Sequence, residues 1–462
     1  MLASCKSPPA PTKESPPPPS TASAAAVAPA TLPTLAAEPF AGGQDSRSIF
    51  SAVEGALIVS AGQRVGRIDG DKIEWVGNIP KGNAAFGDNV LSDVYGRWPD
   101  ELGAVYVSGN GRAPQPTYYP LTGKGVTQMV GEGGGLARID GVARVGATTL
   151  IATLSMSDNT RIFTVRGPKL TPHLTTEKEA GCKPGEVWNP MQSEHAAAIP
   201  PRAFEASPAG TLVSLGQLCD KRGAVAEVWD KGTGKPRIVP LDRWWKKLEY
   251  AQLLRGSGDE LFASTSAFQP VLRIRGAEVE AIPDLERPIS DLFTSNKGQL
   301  FAYDGRRILR LEEGRWTPVA RFAAPGPFST MAVADDGTFW IGEPGWEGHE
   351  GHIWRLKQNG EGPIDDPCTT HFVHLYKVSS DNAKDFTFPT TRAALAKFPE
   401  AAQIGLVELG QGQFDRRLGF IVTSREQGQA LVAHVKATMK DEDPRLTCLD
   451  PKPVRKIPLD GK

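Results

Sequence analysis

Residues 328–360 read FSTMAVADDGTFWIGEPGWEGHEGHIWRLKQNG. They contain a β-run, a tight turn at Asp335-Asp336-Gly337, a second β-run, a loop, and a third run, Ile353-Trp354-Arg355-Leu356, that closes before Gly360. The third run recurs upstream. It stands as Ile308-Leu309-Arg310-Leu311 before Gly314, Val271-Leu272-Arg273-Ile274 before Gly276, Ile162-Phe163-Thr164-Val165 before Gly167, and Val65-Gly66-Arg67-Ile68 before Gly70. Looser copies are Ala226-Glu227-Val228-Trp229 before Gly232 and Tyr118-Tyr119-Pro120-Leu121 before Gly123. Tight reversals carry the expected chemistry, at Asp69-Gly70, Asp140-Gly141, Asn296-Lys297-Gly298, Asp304-Gly305 and Asp336-Gly337.

A period of this kind, with about four short strands in each unit, is the signature of a β-propeller. The fold class it predicts is mainly β: a seven-bladed β-propeller over residues 47–366, then a small α/β domain over 367–462. If the run from His371 completes the last unit instead of opening the C-terminal domain, the blade count changes by one. Phe339-Trp340-Ile341-Gly342, following Asp336-Gly337-Thr338, resembles the D-G-x-x-W-x-G phrase of bacterial sensor and NHL-type propellers. That resemblance implies the fold and is silent on activity, because propellers host unrelated functions.

The charge balance excludes one class of partner. Lys and Arg total 52 against 53 Asp and Glu, a net charge of −1, so the electrostatic basis for nucleic-acid binding is missing. No apolar run is long enough to span a bilayer. The five cysteines are Cys5, Cys182, Cys219, Cys368 and Cys448. One odd cysteine plus two local pairs is what an exported, lipid-anchored protein with two disulfides would show; five separate buried thiols in a cytosolic protein is the alternative. Cys182 lies in a long insertion between units three and four, and Cys219 lies in a b-to-c loop. Both loops emerge on one face of a propeller, so the two cysteines can meet.

Leu2-Ala3-Ser4-Cys5 resembles the lipobox of bacterial lipoproteins, which implies acylation at Cys5 and a membrane contact through a lipid anchor only. The basic and apolar segments of a signal peptide do not stand before it. Residues 6–46 are rich in Pro, Ala, Ser and Thr without periodicity, and the expectation for 1–46 is a lipobox and a disordered tether. Lys6 after the cysteine points to the outer membrane or periplasm as the place of the anchored chain.

The C-terminal region breaks the repeat. Strands are expected over 371–378, 403–409, 416–422 and 445–449, with a short helix near 391–398. A second helix is capped by Ser424 with Gln427 three residues on, its apolar stripe running through Gly428, Leu431, Val432, Val435 and Met439. This is βαββαβ, a ferredoxin-like order in which the first and last strands are antiparallel neighbours, so Cys368 and Cys448 fall within bonding reach. Phe372-Val373-His374-Leu375, Arg416-Arg417-Leu418 and the segment from Ser424 to Leu431 make the region resemble the SPOR domain, a peptidoglycan-binding module of bacterial envelopes. His374 replaces the usual Gln and the Gly-x-Phe ending the third strand is absent.

Three sets of residues could carry chemistry. His349, Glu350 and His352 form an imidazole and carboxylate cluster of the kind that holds a divalent metal, against a reading as a solvated polar loop. Trp188, Arg243, Trp244, Trp245 and Trp346 could form an aromatic and cationic platform for a glycan or a protein partner, against a reading as rim-plugging tryptophans. For catalysis, no Gly-x-Ser-x-Gly elbow exists, and Gly131-Glu132-Gly133-Gly134-Gly135 lacks the Lys-Ser/Thr of a phosphate-binding loop. The expected function is therefore a non-catalytic envelope lipoprotein whose propeller is a protein- or glycan-binding scaffold, with a C-terminal module docking on peptidoglycan or on the propeller. The alternative is a metal-dependent propeller enzyme acting on sugars or lactones.

Overall fold

The computed structural model describes residues 31–43, 47–50, 53, 56–61, 64–78, 89–98, 101–108, 116–122, 125–126, 138–154, 160–166, 169–175, 187–188, 204–218, 224–245, 248, 251–265, 269–322, 330–343, 351–363, 368, 370–378, 404–408, 416–438, 444–449 and 454–457. The fold is mainly β and propeller-like. After β1 (Thr31–Gly43) come antiparallel meanders: β2–β5 (Arg47–Phe50, Ile58–Ala61, Arg64–Asp69, Lys72–Asn78), β6–β9 (Asn89–Arg97, Glu101–Ser108, Pro116–Thr122, Gly125–Val126) and β10–β13 (Arg138–Val145, Thr148–Leu154, Thr160–Arg166, Lys169–Thr175). Strand β14 (Val187–Trp188) then joins the edge of a further meander, β15–β18 (Phe204–Ala206, Leu212–Leu218, Ala224–Trp229, Arg237–Pro240). The next are β19–β22 (Gln252–Arg255, Glu260–Ser264, Leu272–Arg275, Glu278–Ala281) and β23–β26 (Asp291–Thr294, Leu300–Tyr303, Arg307–Glu312, Arg315–Arg321). Last come β27–β29 (Thr330–Val333, Phe339–Glu343, Gly351–Pro363), whose missing outer strand is β1.

The meanders pack face to face in sequence order and the series returns to its start. Ile58 and Val65 meet Val94 and Leu102; Leu150 and Ile162 meet Phe204 and Leu212; Leu215 meets Leu253 and Leu261. Phe262 meets Leu292, and Phe293 meets Met331. Finally Leu57 and Val59 of the first meander meet Trp340 and Ile353 of the last. This explains the repeat. A middle strand is covered on both faces by neighbours, so β3 and β24 are buried throughout, while outer strands such as β5 and β22 hold no fully buried residue. Successive inner turns also touch: Ala209 N–H donates to Gly258 O at 2.9 Å, and a Cβ on Gly298 would lie 2.3 Å from the Gly256 backbone.

The expected tether is corrected by β1. Residues 31–43 are a strand, paired antiparallel to β29 from Thr31↔Pro363 to Gly43↔Gly351 and touching β26 in parallel at Thr34↔Arg321. The propeller-like body therefore takes in residues 31–43, which lie before the expected boundary at 47. Leu35 and Ala37 pack into one inter-sheet core and Phe40 and Ala41 into the next, so the segment buries more apolar surface than its composition suggests. Register shifts at Pro33/Leu35 and Pro39/Ala41 break the period-two pattern, with the prolines on an outer strand where a missing N–H is tolerated.

The run at His371 belongs to a separate C-terminal sheet. Its strands are β30 (His371–Val378), β31 (Ile404–Glu408), β32 (Arg416–Val422), β33 (Arg445–Cys448) and β34 (Val454–Ile457), in the order β33-β30-β32-β31-β34, with every neighbouring pair antiparallel. Helix α1 (Arg425–Thr438) covers one face with Leu431 and Val435. Ser424 Oγ accepts the Gln427 N–H at 3.1 Å, while Gln427 reaches back to the Thr423 N–H at 3.2 Å, one residue earlier than a standard capping box. Gly428 lets the helix lie against β33, since a Cβ there would sit 2.2 Å from Leu446 Cδ1. The expected helix near 391–398 lies outside the described residues, and β34 was not anticipated.

Candidate functional site

Cys368 and Cys448 are bonded, with Cα atoms 5.6 Å apart, as the antiparallel pairing of β30 with β33 requires. Cys5, Cys182 and Cys219 lie outside the described residues, as do Trp346, His349 and Glu350. His352, the remaining member of the metal set, sits at the start of β29 with its Nδ1 3.7 Å from Glu343 Oε2. The same carboxylate accepts the Trp354 indole N–H at 3.0 Å, and the His352 and Trp354 rings lie 5.2 Å apart. Among the described residues, no group of three or more His, Cys, Asp or Glu side chains is arranged to hold a metal ion.

The aromatic platform is dismantled in part. Trp188 is in β14, opposite Gln217 of β16, and so belongs to a sheet edge. The segment after Leu241 makes a single turn, with the Trp244 and Trp245 N–H groups both donating to Leu241 O. That turn drives Trp245 inward: it is fully buried, and its indole N–H donates to Pro270 O at 2.9 Å. Trp245 is therefore a core residue whose polar edge is satisfied, not a surface anchor. Trp244 is half-buried on the same core, and the Arg243 guanidinium stacks 3.6 Å over its ring while donating to Val279 O at 3.0 Å. Among the described residues, this stacked pair keeps the expected character.

Docking of the C-terminal module on the propeller is one of two options open from the sequence, but the sequence points to no residue of the seam between the C-terminal sheet and the linker joining β22 to β23. The sheet edge β33 is covered by that linker. Cys448 N–H donates to Glu286 O at 2.6 Å and the Thr447 hydroxyl to the same oxygen at 3.3 Å. Arg425, at the start of α1, reaches the Glu286 carboxylate at 2.6 Å, and Arg445 lies 3.5 Å from Asp284. An otherwise open strand edge is thus capped by main chain from the propeller-like body. Beside these contacts is a cavity of about 40 Å³ lined from both sides, by Gln269, Leu285, Arg287 and Trp316 of the body and by Arg445 and Leu446 of the C-terminal sheet. His371 pairs with Cys448 next to the seam, and burial, followed by the Arg425 charge, holds its pKa below the ordinary 6.5. Glu426 is likewise held low, by its own backbone N–H and then by the Ser424 hydroxyl at the helix start.

No known protein family matches the sequence, and no curated protein matches it. Solved structures do. A prolyl endopeptidase is similar over 73% of this chain and 52% of that one, at 12% identity and a TM-score of 0.41. The extracellular domain of a hybrid two-component system from B. thetaiotaomicron is similar over 75% of this chain and 43% of that one, at 11% identity and a TM-score of 0.41. A gluconolactonase from Xanthomonas campestris is similar over 72% of this chain and 96% of that one, at 9% identity and a TM-score of 0.35. The chain spans about half the length of the prolyl endopeptidase. Fold and seam together define a β-propeller-type protein carrying a docked C-terminal α/β sheet.

Proposed function

We propose that this chain is a non-catalytic envelope lipoprotein: a seven-bladed propeller acting as a binding scaffold, joined to a ferredoxin-like, SPOR-like module that engages peptidoglycan. The observation that carries the reading is the C-terminal strand order β33-β30-β32-β31, with the last strand antiparallel to the first, which is the order of a ferredoxin-like sheet. The seven meanders, closed by β1, are the seven blades in this reading. Acylated Cys5 would anchor the chain, and residues 6–30 would span at most about 90 Å to the ring. Because Thr31 and Pro363 are register partners, tether and module leave the ring at one corner. The partner is an envelope protein or glycan, and no cofactor is assigned.

The test compares residues 31–462 with residues 31–363 for retention on intact and amidase-stripped peptidoglycan. Retention of the longer chain alone, stronger on stripped strands, is expected. Equal behaviour of the two would remove the wall-binding part of the proposal. Palmitate labelling that survives Cys5→Ser would remove the lipoprotein part. Stoichiometric metal in the purified protein would favour an enzyme acting on sugars or lactones instead.

A further inference from the structure

We infer that the seam cavity is a binding site for a small carboxylate that also carries an N–H or O–H donor and a short alkyl group. Interfaces between packed units are among the preferred places for small-ligand sites, and this cavity is walled by the propeller-like body on one side and the C-terminal sheet on the other. Its chemistry is uneven. Arg287, with 6% of its surface exposed, comes from the linker, and Arg445 comes from β33 on the opposite wall. Guanidinium groups match a carboxylate in a planar, two-point geometry. Arg445 reaches Asp284 at 3.5 Å, a long contact to a side chain that is 66% exposed, and a ligand carboxylate can compete for it.

The other requirements come from the remaining walls. Gln269 Oε1 is buried and, among the described residues, has no hydrogen-bond partner, so it asks for a donor from whatever enters. Val271, Leu285 and Leu446 supply an apolar surface that suits an alkyl group and disfavours a bare inorganic anion. Asp284 on the rim opposes a dianion such as phosphate. At about 40 Å³ the cavity admits only the end of a molecule. Two sources share this chemistry: the N-acylated terminal residue of a peptide, and a sugar acid bearing a lactyl group. The inference does not depend on wall binding by the module, because the site lies on the seam and not on the module alone.

Isothermal titration of the full chain with N-acetylalanine and with N-acetylmuramate, against N-acetylalanine amide and N-acetylglucosamine, tests it. At least one carboxylate should bind, its neutral counterpart at least about tenfold more weakly, and the tighter carboxylate identifies the source. Arg445→Gln, on a partly exposed side chain, should lose about tenfold in affinity with an unchanged melting profile. Arg287→Gln should lose more; if it does not fold, Arg445→Gln decides alone. Equal binding of the neutral counterparts, an unchanged affinity in Arg445→Gln, or no saturation by about 10 mM would overturn the inference.

Discussion

The two ends of this chain both meet the propeller-like body, and they do so by different physics. At the N-terminal end, β1 enters the last meander as its outer strand, paired to β29 from Thr31 to Gly43 with two register shifts and wedged between two cores. At the C-terminal end, strands β30–β34 build a sheet of their own, with Phe372, Phe420 and Val435 in its core, and among the described residues its hydrogen bonds to the body run to the linker joining β22 to β23. A segment that completes another sheet is part of that sheet's cooperative unit, whereas a unit with its own core can detach and stay folded. The N-terminal segment should therefore be indispensable and the C-terminal one separable.

The largest expected effect follows directly. Removing residues 31–43 should abolish the body's cooperative thermal transition and its near-ultraviolet dichroism, because the ring loses its closing strand and leaves β29 as an open edge. Ending the chain after residue 363 should leave that transition in place. Similar melts for the two truncations would refute the contrast.

Next comes a pair of glycines that share one backbone angle. Gly298 and Gly314 both have φ of +78°, but a Cβ at Gly298 would strike the Gly256 backbone while one at Gly314 meets nothing within 4 Å. Gly314→Ala should cost about 1 kcal/mol from backbone strain alone. Gly298→Ala should cost about 3 kcal/mol or more, since the neighbour is main chain and cannot move aside. Denaturant midpoints measure both, and equal values would show that the turn-to-turn stack is not a structural contact.

In the C-terminal unit, Cys368→Ser with Cys448→Ser should lower that unit's stability by about 2–4 kcal/mol, the range for a bond closing a long loop, across a separation of 80 residues. The body's transition should not move. Arg425→Gln removes the exposed ion pair with Glu286 and should cost less than about 1 kcal/mol, because the main-chain bond from Cys448 to Glu286 remains. A loss several times larger would mean that the seam is held by charge and not by the strand edge.

Which of these features were legible beforehand depended on how local their causes are. The middle strands announced themselves, since burial on both faces forces continuous apolar runs such as Ile308-Leu309 and Val271-Leu272. The Ser424 cap and the pairing of Cys368 with Cys448 were legible because each rests on a short motif or on strand order. Strand β1 was hidden by two bulges at proline and by a partner more than 300 residues away. Trp245 looked like a surface anchor because its neighbours Arg243, Lys246 and Lys247 are cationic; only the turn at Leu241 shows that it points inward. Docking on the propeller was an open option, but the residues of the seam could not be foreseen, as Glu286 contributes chiefly through a backbone carbonyl, which any residue would supply.

Acid should separate the two ends most gently of all. At the ring closure, the Glu38 carboxyl is held below its ordinary 4.5 by Lys357 first and Arg355 next. Its contribution is complete above about pH 4.5 and is lost as pH falls from there through the folded value. In the C-terminal unit, the imidazole of His371 is held below its ordinary 6.5 by burial, with the nearby Arg425 charge adding to the effect and Glu286 and Glu426 opposing it. The unfolded chain takes up that proton more readily than the folded one, so stability declines as pH falls below about 6.5. Between about pH 6.5 and 4.5, then, the His371 term weakens the C-terminal unit while the Glu38 term leaves β1 untouched; below that, both terms work against the fold. Scanning calorimetry at about pH 7.5 and 5.5 should show the C-terminal transition moving down and the body's holding, with His371→Asn flattening the difference. A body that weakens first on acidification would place the weaker seam at the N-terminal strand and invert the comparison.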